Sequence, residues 1–172
     1  MRLLKGFVFA ICGLFVVVTL LSLLMPSNVI TSRTITIAST PQIILNEISD
    51  LQNWKNWNPL FQQNKNIFIG DPPSGIGAYA EWNNGNKKKS LRFTGINTNE
   101  IRFIVQSSGE NDLENKITLI NYKDSNHVQV EWSALTKLKW YPWEKFSGIF
   151  VDKITGAGYD DALNSLKLFI EK

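Results

Sequence analysis

His127 is the only imidazole and Cys12 the only thiol in a chain of 172 residues. That inventory removes most Cys/His nucleophile arrangements, a zinc cage of Cys and His, and a disulfide scaffold. His127 falls beside a turn read at Asp124-Ser125, on the polar parity of Gln129 and Glu131, and is expected in solvent. Ser147 and Ser165 would need a Lys or a carboxylate as base, and no spacing supplies one. Glu81 and Glu131 stand beside Trp82 and Trp132 and would form an acid/base pair if both turned inward. Both instead share the polar parity, with Lys88 across from Glu81, and read as a solvated ion-pair face. Asp160 and Asp161 lie toward the polar side of a terminal helix and read as solvated too. Gly75-Ile76-Gly77 opens an antiparallel strand and does not lead into a helix N-terminus, so it reads as a turn or bulge and not a phosphate loop. No cluster has calcium-loop or zinc spacing. No catalytic residue, metal or cofactor is expected, and the residues lean against an enzyme without excluding one.

The aromatic side chains carry more signal. Trp54, Trp57, Trp82, Phe93, Phe103, Trp132 and Tyr159 fall on elements that face one interior, while Gly158 and Ala162 present little volume opposite them. Large rings across from small residues leave a hollow suited to an apolar or aromatic ligand. A core of large side chains, closed by inward movement of the helix, is the competing reading. These nine residues are the candidate ligand-binding set.

The elements that must position them follow from periodicity. Thr34-Ile35-Thr36-Ile37 alternates as a first strand. Thr40 is expected to cap a short helix with Pro41 in its first turn and Ile44, Ile48 and Leu51 on one side. A second short helical turn runs from Asp50 and stops at Asn58, which Pro59 restricts. From Ile67 to Trp132 a period of two dominates, broken by turn residues at meander intervals. Asn84-Gly85 is the strongest hairpin signal and sets Glu81 opposite Lys88, Ala80 opposite Lys89 and Ala78 opposite Leu91. Asp124-Ser125 sets Asn121 opposite Val128, Leu119 opposite Val130 and Ile117 opposite Trp132. One face then collects Ile76, Ala78, Ala80, Trp82, Leu91, Phe93, Ile101, Phe103, Val105, Ile117, Leu119, Val128, Val130 and Trp132. The other collects Glu81, Lys88, Arg92, Arg102, Gln129 and Glu131. The cover for the apolar face is a long C-terminal helix with Val151, Ile154, Gly158, Tyr159, Ala162, Leu166, Phe169 and Ile170 inward. The fold class is α+β, an antiparallel sheet of six to seven strands wrapped on that helix.

Ahead of it, Gly6 to Met25 is a run of twenty residues without a charge, long enough at ~1.5 Å per residue to span the roughly 30 Å bilayer core. Arg2 and Lys5 precede the run and Arg33 is the next charge, so the N-terminus is expected in the cytoplasm and the remainder on the extracytoplasmic, periplasmic side. The stretch exceeds the apolar region of a signal peptide and lacks small residues spaced for cleavage before Pro26, which favours an uncleaved single-pass anchor. Cys12 reads as a lipid-facing or packing residue. The division expected is an anchor over residues 1–27 and one domain over 28–172. Of the 18 Lys and Arg against 15 Asp and Glu, Arg2 and Lys5 belong to the anchor. The near balance that remains is no nucleic-acid footprint. Lys137 to Phe146 interleaves cations and rings and has two readings: an interfacial lip resting on lipid headgroups through Trp140, Trp143, Lys137 and Lys139, or a flap packed over the core.

Asp50, Trp54, Trp57 and Pro59 resemble the D-x-x-x-W-x-x-W-x-P run of the SRPBCC (START-like, helix-grip) superfamily, which includes polyketide cyclase and lipid-transport domains. Gly75-Ile76-Gly77-Ala78 with Trp82, Val130-Glu131-Trp132 and Ala162 to Lys167 are similar to further motifs of that superfamily, in the same order, so that the resemblance covers about Val29 to Glu171. It implies a deep apolar cavity between sheet and helix that holds a hydrophobic small molecule or lipid. It carries over neither a cyclase activity nor any catalytic residue. The alternatives are an enzyme acting on such a molecule in the same cavity, and a protein-interaction domain with a filled core.

Overall fold

A computed structural model describes residues 2–121 and 126–172. The uncharged run is helical over Arg2–Leu23 (α1), and its Leu4–Leu23 stretch is long and apolar enough to cross a membrane. The alternating segments form strands Asn28–Ile37 (β1), Phe68–Ile69 (β2), Tyr79–Asn84 (β3), Lys87–Asn97 (β4), Glu100–Ser107 (β5), Leu113–Asn121 (β6) and Val128–Lys137 (β7). Between β1 and β2 lie helices Pro41–Ser49 (α2), Trp54–Trp57 (α3) and Pro59–Gln63 (α4), and the chain ends in Pro142–Ile170 (α5). The seven strands make one antiparallel sheet in the order β1-β7-β6-β5-β4-β3-β2. The β1–β7 pairing, with Ile35 opposite Val130, brings the start of the domain beside its last strand.

The turn expected at Asp124-Ser125 lies outside the described residues, but the pairs it implied are present: Ile117 faces Trp132, Leu119 faces Val130 and Asn121 faces Val128. The β3–β4 hairpin differs. Its central residues are Gly85 and Asn86, so Ala80 faces Leu91, Glu81 faces Ser90 and Trp82 faces Lys89. Gly85 takes φ +60°, which the first central position of a primed turn requires. The turn therefore sits one residue further along than Asn84-Gly85 implied. A two-residue offset in pairing preserves side-chain parity. Inner and outer sets are unchanged, and Glu81 still reaches Lys88 diagonally at 2.9 Å. Of the residues assigned to the inner face, only Ile76 (71% exposed) turns outward, because Gly75 and Gly77 at φ +89° and +92° interrupt the alternation there.

Three further corrections concern the helices. Thr40 occupies the N-cap of α2 but its side chain makes no capping hydrogen bond. Pro59 ends α3 yet also starts α4, where Asn58, extended at ψ 119°, accepts the Leu60 N–H at 3.0 Å. The terminal helix begins at Pro142, nine residues ahead of Val151, so that the second half of the basic aromatic segment belongs to its first turns. Trp140 and Trp143 are exposed, whereas Pro142 and Lys145 of the same segment are buried.

The rotation of α5 is set by β1. Arg33 projects from β1 across Gly156, where a Cβ would stand 2.1 Å from Nη2. Its guanidinium donates to both Asp152 oxygens at 3.1 and 3.2 Å and to Asp160 at 3.1 Å. Asp160 is therefore an ion-pair partner and not simply solvated. The clasp turns Gly148, Gly156, Tyr159, Leu163 and Leu166 inward and leaves Ile154 and Gly158 exposed, against the expected stripe. Hydrogen bonding to Arg33 holds the Asp152 carboxyl below its ordinary range. A depressed carboxylate stabilises the fold above its unfolded value and loses that contribution as pH falls through the folded one. Arg33→Gln is expected to flatten the acid limb of stability against pH, measured as the urea midpoint between neutral and strongly acid solution. An unchanged limb would refute the clasp.

Candidate functional site

Beneath the C-terminal half of α5 the sheet does not close. A cavity of about 480 Å³ is walled by Trp54, Trp82, Leu91, Phe103, Val105 and Trp132, and roofed by Thr155, Gly158, Tyr159 and Ala162. Seven of the nine candidate residues thus border one space: Trp54, Trp82, Phe103, Trp132, Gly158, Tyr159 and Ala162. Trp57 and Phe93 do not line it. They stand behind the wall, fully buried, with Trp57 5.2 Å and Phe93 6.0 Å from Trp54 between ring centroids. Trp54 anchors this layer because its short helix lies on the sheet and its indole N–H donates to the Ile48 carbonyl at 2.9 Å. The roof is thin because nothing lies within 4 Å of where a Gly158 Cβ would be.

A second hollow of about 660 Å³ runs under the N-terminal half of α5, between Ser147, Val151 and Ile154 on the helix and Val105, Leu113 and Thr136 on the sheet. The two share Lys89, Val105, Leu113, Ile154 and Thr155, and so form one continuous groove leading from the start of α5 to the tryptophans.

No family model and no curated protein matches the sequence. Solved structures do match its shape. A START superfamily protein from Mycobacterium smegmatis superposes with a TM-score of 0.63 at 14% identity over 83% of this chain and 97% of that one. A protein from Thermobifida fusca gives 0.62 at 14% identity over 80% and 90%. DynU16, from the dynemicin biosynthetic locus, gives 0.59 at 12% identity over 83% of this chain, which spans only 47% of that protein. The chain has a START-like, helix-grip fold.

In this helix-grip domain the cavity wall carries a polar cluster in which two of the candidate residues, Trp132 and Tyr159, meet Asn115, a residue the candidate set did not include. Asn115 on β6 is buried and lines the cavity. Its Oδ1 accepts the Trp132 indole N–H at 3.0 Å and the Tyr159 hydroxyl at 2.9 Å, and its Nδ2 donates to the Leu113 carbonyl at 2.9 Å. Trp132 and Tyr159 also stack, 4.8 Å apart and 21° from parallel. The cluster ties sheet to helix across the floor of the grip. Asn115 shares the parity of Ile117 and Leu119, already assigned inward, and that parity was the signal available for it. Burial pushes the Tyr159 phenol above its ordinary range, so it stays protonated at physiological pH. It offers a donor and not a base. Outside the cavity, His127 is exposed, Glu81 pairs with Lys88, and Glu131 accepts from Ser32 at 2.7 Å.

Proposed function

We propose that the protein is a membrane-anchored helix-grip domain that binds a hydrophobic small molecule or lipid in the groove between sheet and α5. The observation that carries this reading is the largely apolar void beside Gly158 and Ala162, whose size lies within the ~300–1,000 Å³ of small-molecule sites. A closed core would have filled it with side chains. The fold shared with a START superfamily protein agrees with a grip on an apolar ligand. Residues 1–27 serve as a single-pass anchor with a cytoplasmic N-terminus, and residues 28–172 hold the ligand on the extracytoplasmic side. Native mass spectrometry of the full chain released from micelles tests this: a copurified lipid, or uptake of an apolar fluorescent probe, is the expected result.

A second reading, an enzyme acting on the bound molecule, is favoured by Asn115 and Tyr159, since the wall is not purely apolar. The Trp132 N–H and the Tyr159 O–H are committed to Asn115 Oδ1, which leaves one N–H of the Asn115 amide for an oxygen of a ligand. Among the described residues no carboxylate or imidazole is hydrogen-bonded to the cluster, although Asp161 lines the same cavity. Chemical change of the bound molecule during incubation would favour the enzyme, and recovery of the same mass would favour the carrier.

A further inference from the structure

The first half of α5 is apolar on the side turned away from the protein. Trp143, Phe146, Ile149 and Phe150 recur at helical spacing with exposures of 65%, 39%, 63% and 60%. Lys145, Gly148 and Asp152 on the opposite side meet α1, β1 and Arg33. An amphipathic helix ordinarily buries its apolar face; this one buries the other. Trp140 adds a further exposed ring beside it, with Tyr141 stacked against Trp143 at 5.1 Å.

The end of α1 meets α5 on the side opposite that face. Ser22 is buried and Val18, Thr19 and Met25 are half-buried at the end of a helix otherwise open on all sides, and α5 is an element in contact with it. The Lys145 ammonium, itself buried, donates to the Met25 carbonyl at 3.2 Å and to the Ser27 hydroxyl at 2.6 Å. A buried cation is held only where such oxygens replace its water. The junction therefore fixes the start of α5 at the level where α1 ends. Phe150 is five residues beyond Lys145, ~7.5 Å along the axis at helical rise, so the exposed rings stay within two turns of that junction.

We infer that Trp143, Phe146, Ile149 and Phe150 of α5 lie in the headgroup and acyl boundary of the bilayer that α1 spans, so that the groove under α5 opens toward the lipid. The inference rests on the anchor proposed above and adds the seat of the domain on the membrane. An apolar molecule would then pass between bilayer and cavity alongside Val151 and Ile154, without crossing water.

The test uses the full chain, with Cys12→Ser, reconstituted into phosphatidylcholine and phosphatidylglycerol vesicles. A single cysteine, Phe150→Cys or Asn164→Cys, carries an environment-sensitive dye. Both sites are exposed, so neither change disturbs packing. The label at 150 is expected to shift to the blue, to lose most of its emission to lipids bearing a nitroxide near the headgroup, and to resist aqueous iodide. The label at 164, fourteen residues on, is expected to behave as in water. Equal access of iodide to both labels in vesicle-bound protein would overturn the inference and leave the anchor standing. Shielding from iodide without quenching by lipid would also overturn it, since a protein surface would then be the cover. Protein that fails to float with vesicles would overturn the anchor and this inference together. Lipid quenching at 150 in a chain that takes up no apolar probe would support the seat while removing the ligand-binding reading.

Discussion

Trp54→Ala lowers the unfolding free energy by about 3–5 kcal/mol, the cost of truncating a fully packed aromatic. The residue is 1% exposed and stands at the centre of the aromatic layer. Its ring centroid lies 5.3 Å from Phe61, 5.5 Å from Phe103 and 6.1 Å from Trp132, in addition to Trp57 and Phe93. Four of those five partners belong to other elements, so the collapse that softens such losses elsewhere would need α4, β4, β5 and β7 to move together. The change also removes the donor to the Ile48 carbonyl, which holds α2 against α3. Urea denaturation of the full chain in micelles measures the loss. A cost under about 0.5 kcal/mol, the range of surface substitutions, would mean that the tryptophans are not the frame of the site.

Asn115→Leu keeps the branched shape and the number of side-chain heavy atoms and leaves two buried donors, the Trp132 indole N–H and the Tyr159 hydroxyl, without their acceptor. A stranded buried donor costs about 1–3 kcal/mol, so the pair places this substitution beside Trp54→Ala in size. The mechanism has a signature that lost packing lacks. Adding Tyr159→Phe to Asn115→Leu deletes one stranded donor, so the double variant should be more stable than Asn115→Leu alone, although Tyr159→Phe by itself is destabilising. Such a sign reversal in a double-mutant cycle reports the hydrogen bond directly. Additive losses would refute the cluster's role in tying α5 to the sheet.

The two faces of the sheet were legible because a period of two is a local property: Trp82, Phe93, Phe103 and Trp132 turn inward wherever their strands pair, provided parity holds. The hairpin register was legible only to within two residues, since Asn84-Gly85 and Gly85-Asn86 are both good turns with Gly85 at positive φ, and only the pairing of Asn84 with Lys87 separates them. The β1–β7 pairing, Arg33 against Asp152 and Asp160, and hence the rotation of α5, join residues about a hundred positions apart and leave no local trace. The rotation mattered most for the helix. Periodicity alone placed Ile154 and Gly158 inward, whereas the clasp at Gly156 turned them to the mouth of the groove, where Gly158 thins the roof. The start of α5 was obscured for a related reason: Trp143, Phe146, Ile149 and Phe150 are apolar on the side away from the protein, so the stripe that marks a buried face points the wrong way there. Asn115 was hidden by its type, a polar residue at an inward position, although its parity with Ile117 and Leu119 was in plain view.

The central claim is that the void under α5 is where the ligand sits. Gly158→Trp sets an indole at the mouth of that void, from a position with open space around its Cβ, and it replaces a mid-helix glycine, which itself costs a helix about 0.8–1.0 kcal/mol against alanine. The fold should survive the change. Native mass spectrometry of the full-length protein, as isolated and after exposure to an apolar probe, compares the two chains under one set of conditions. The wild-type chain is expected to carry the added mass and Gly158→Trp to arrive bare with its stability intact. The same added mass on both chains, or none on either, would contradict the account.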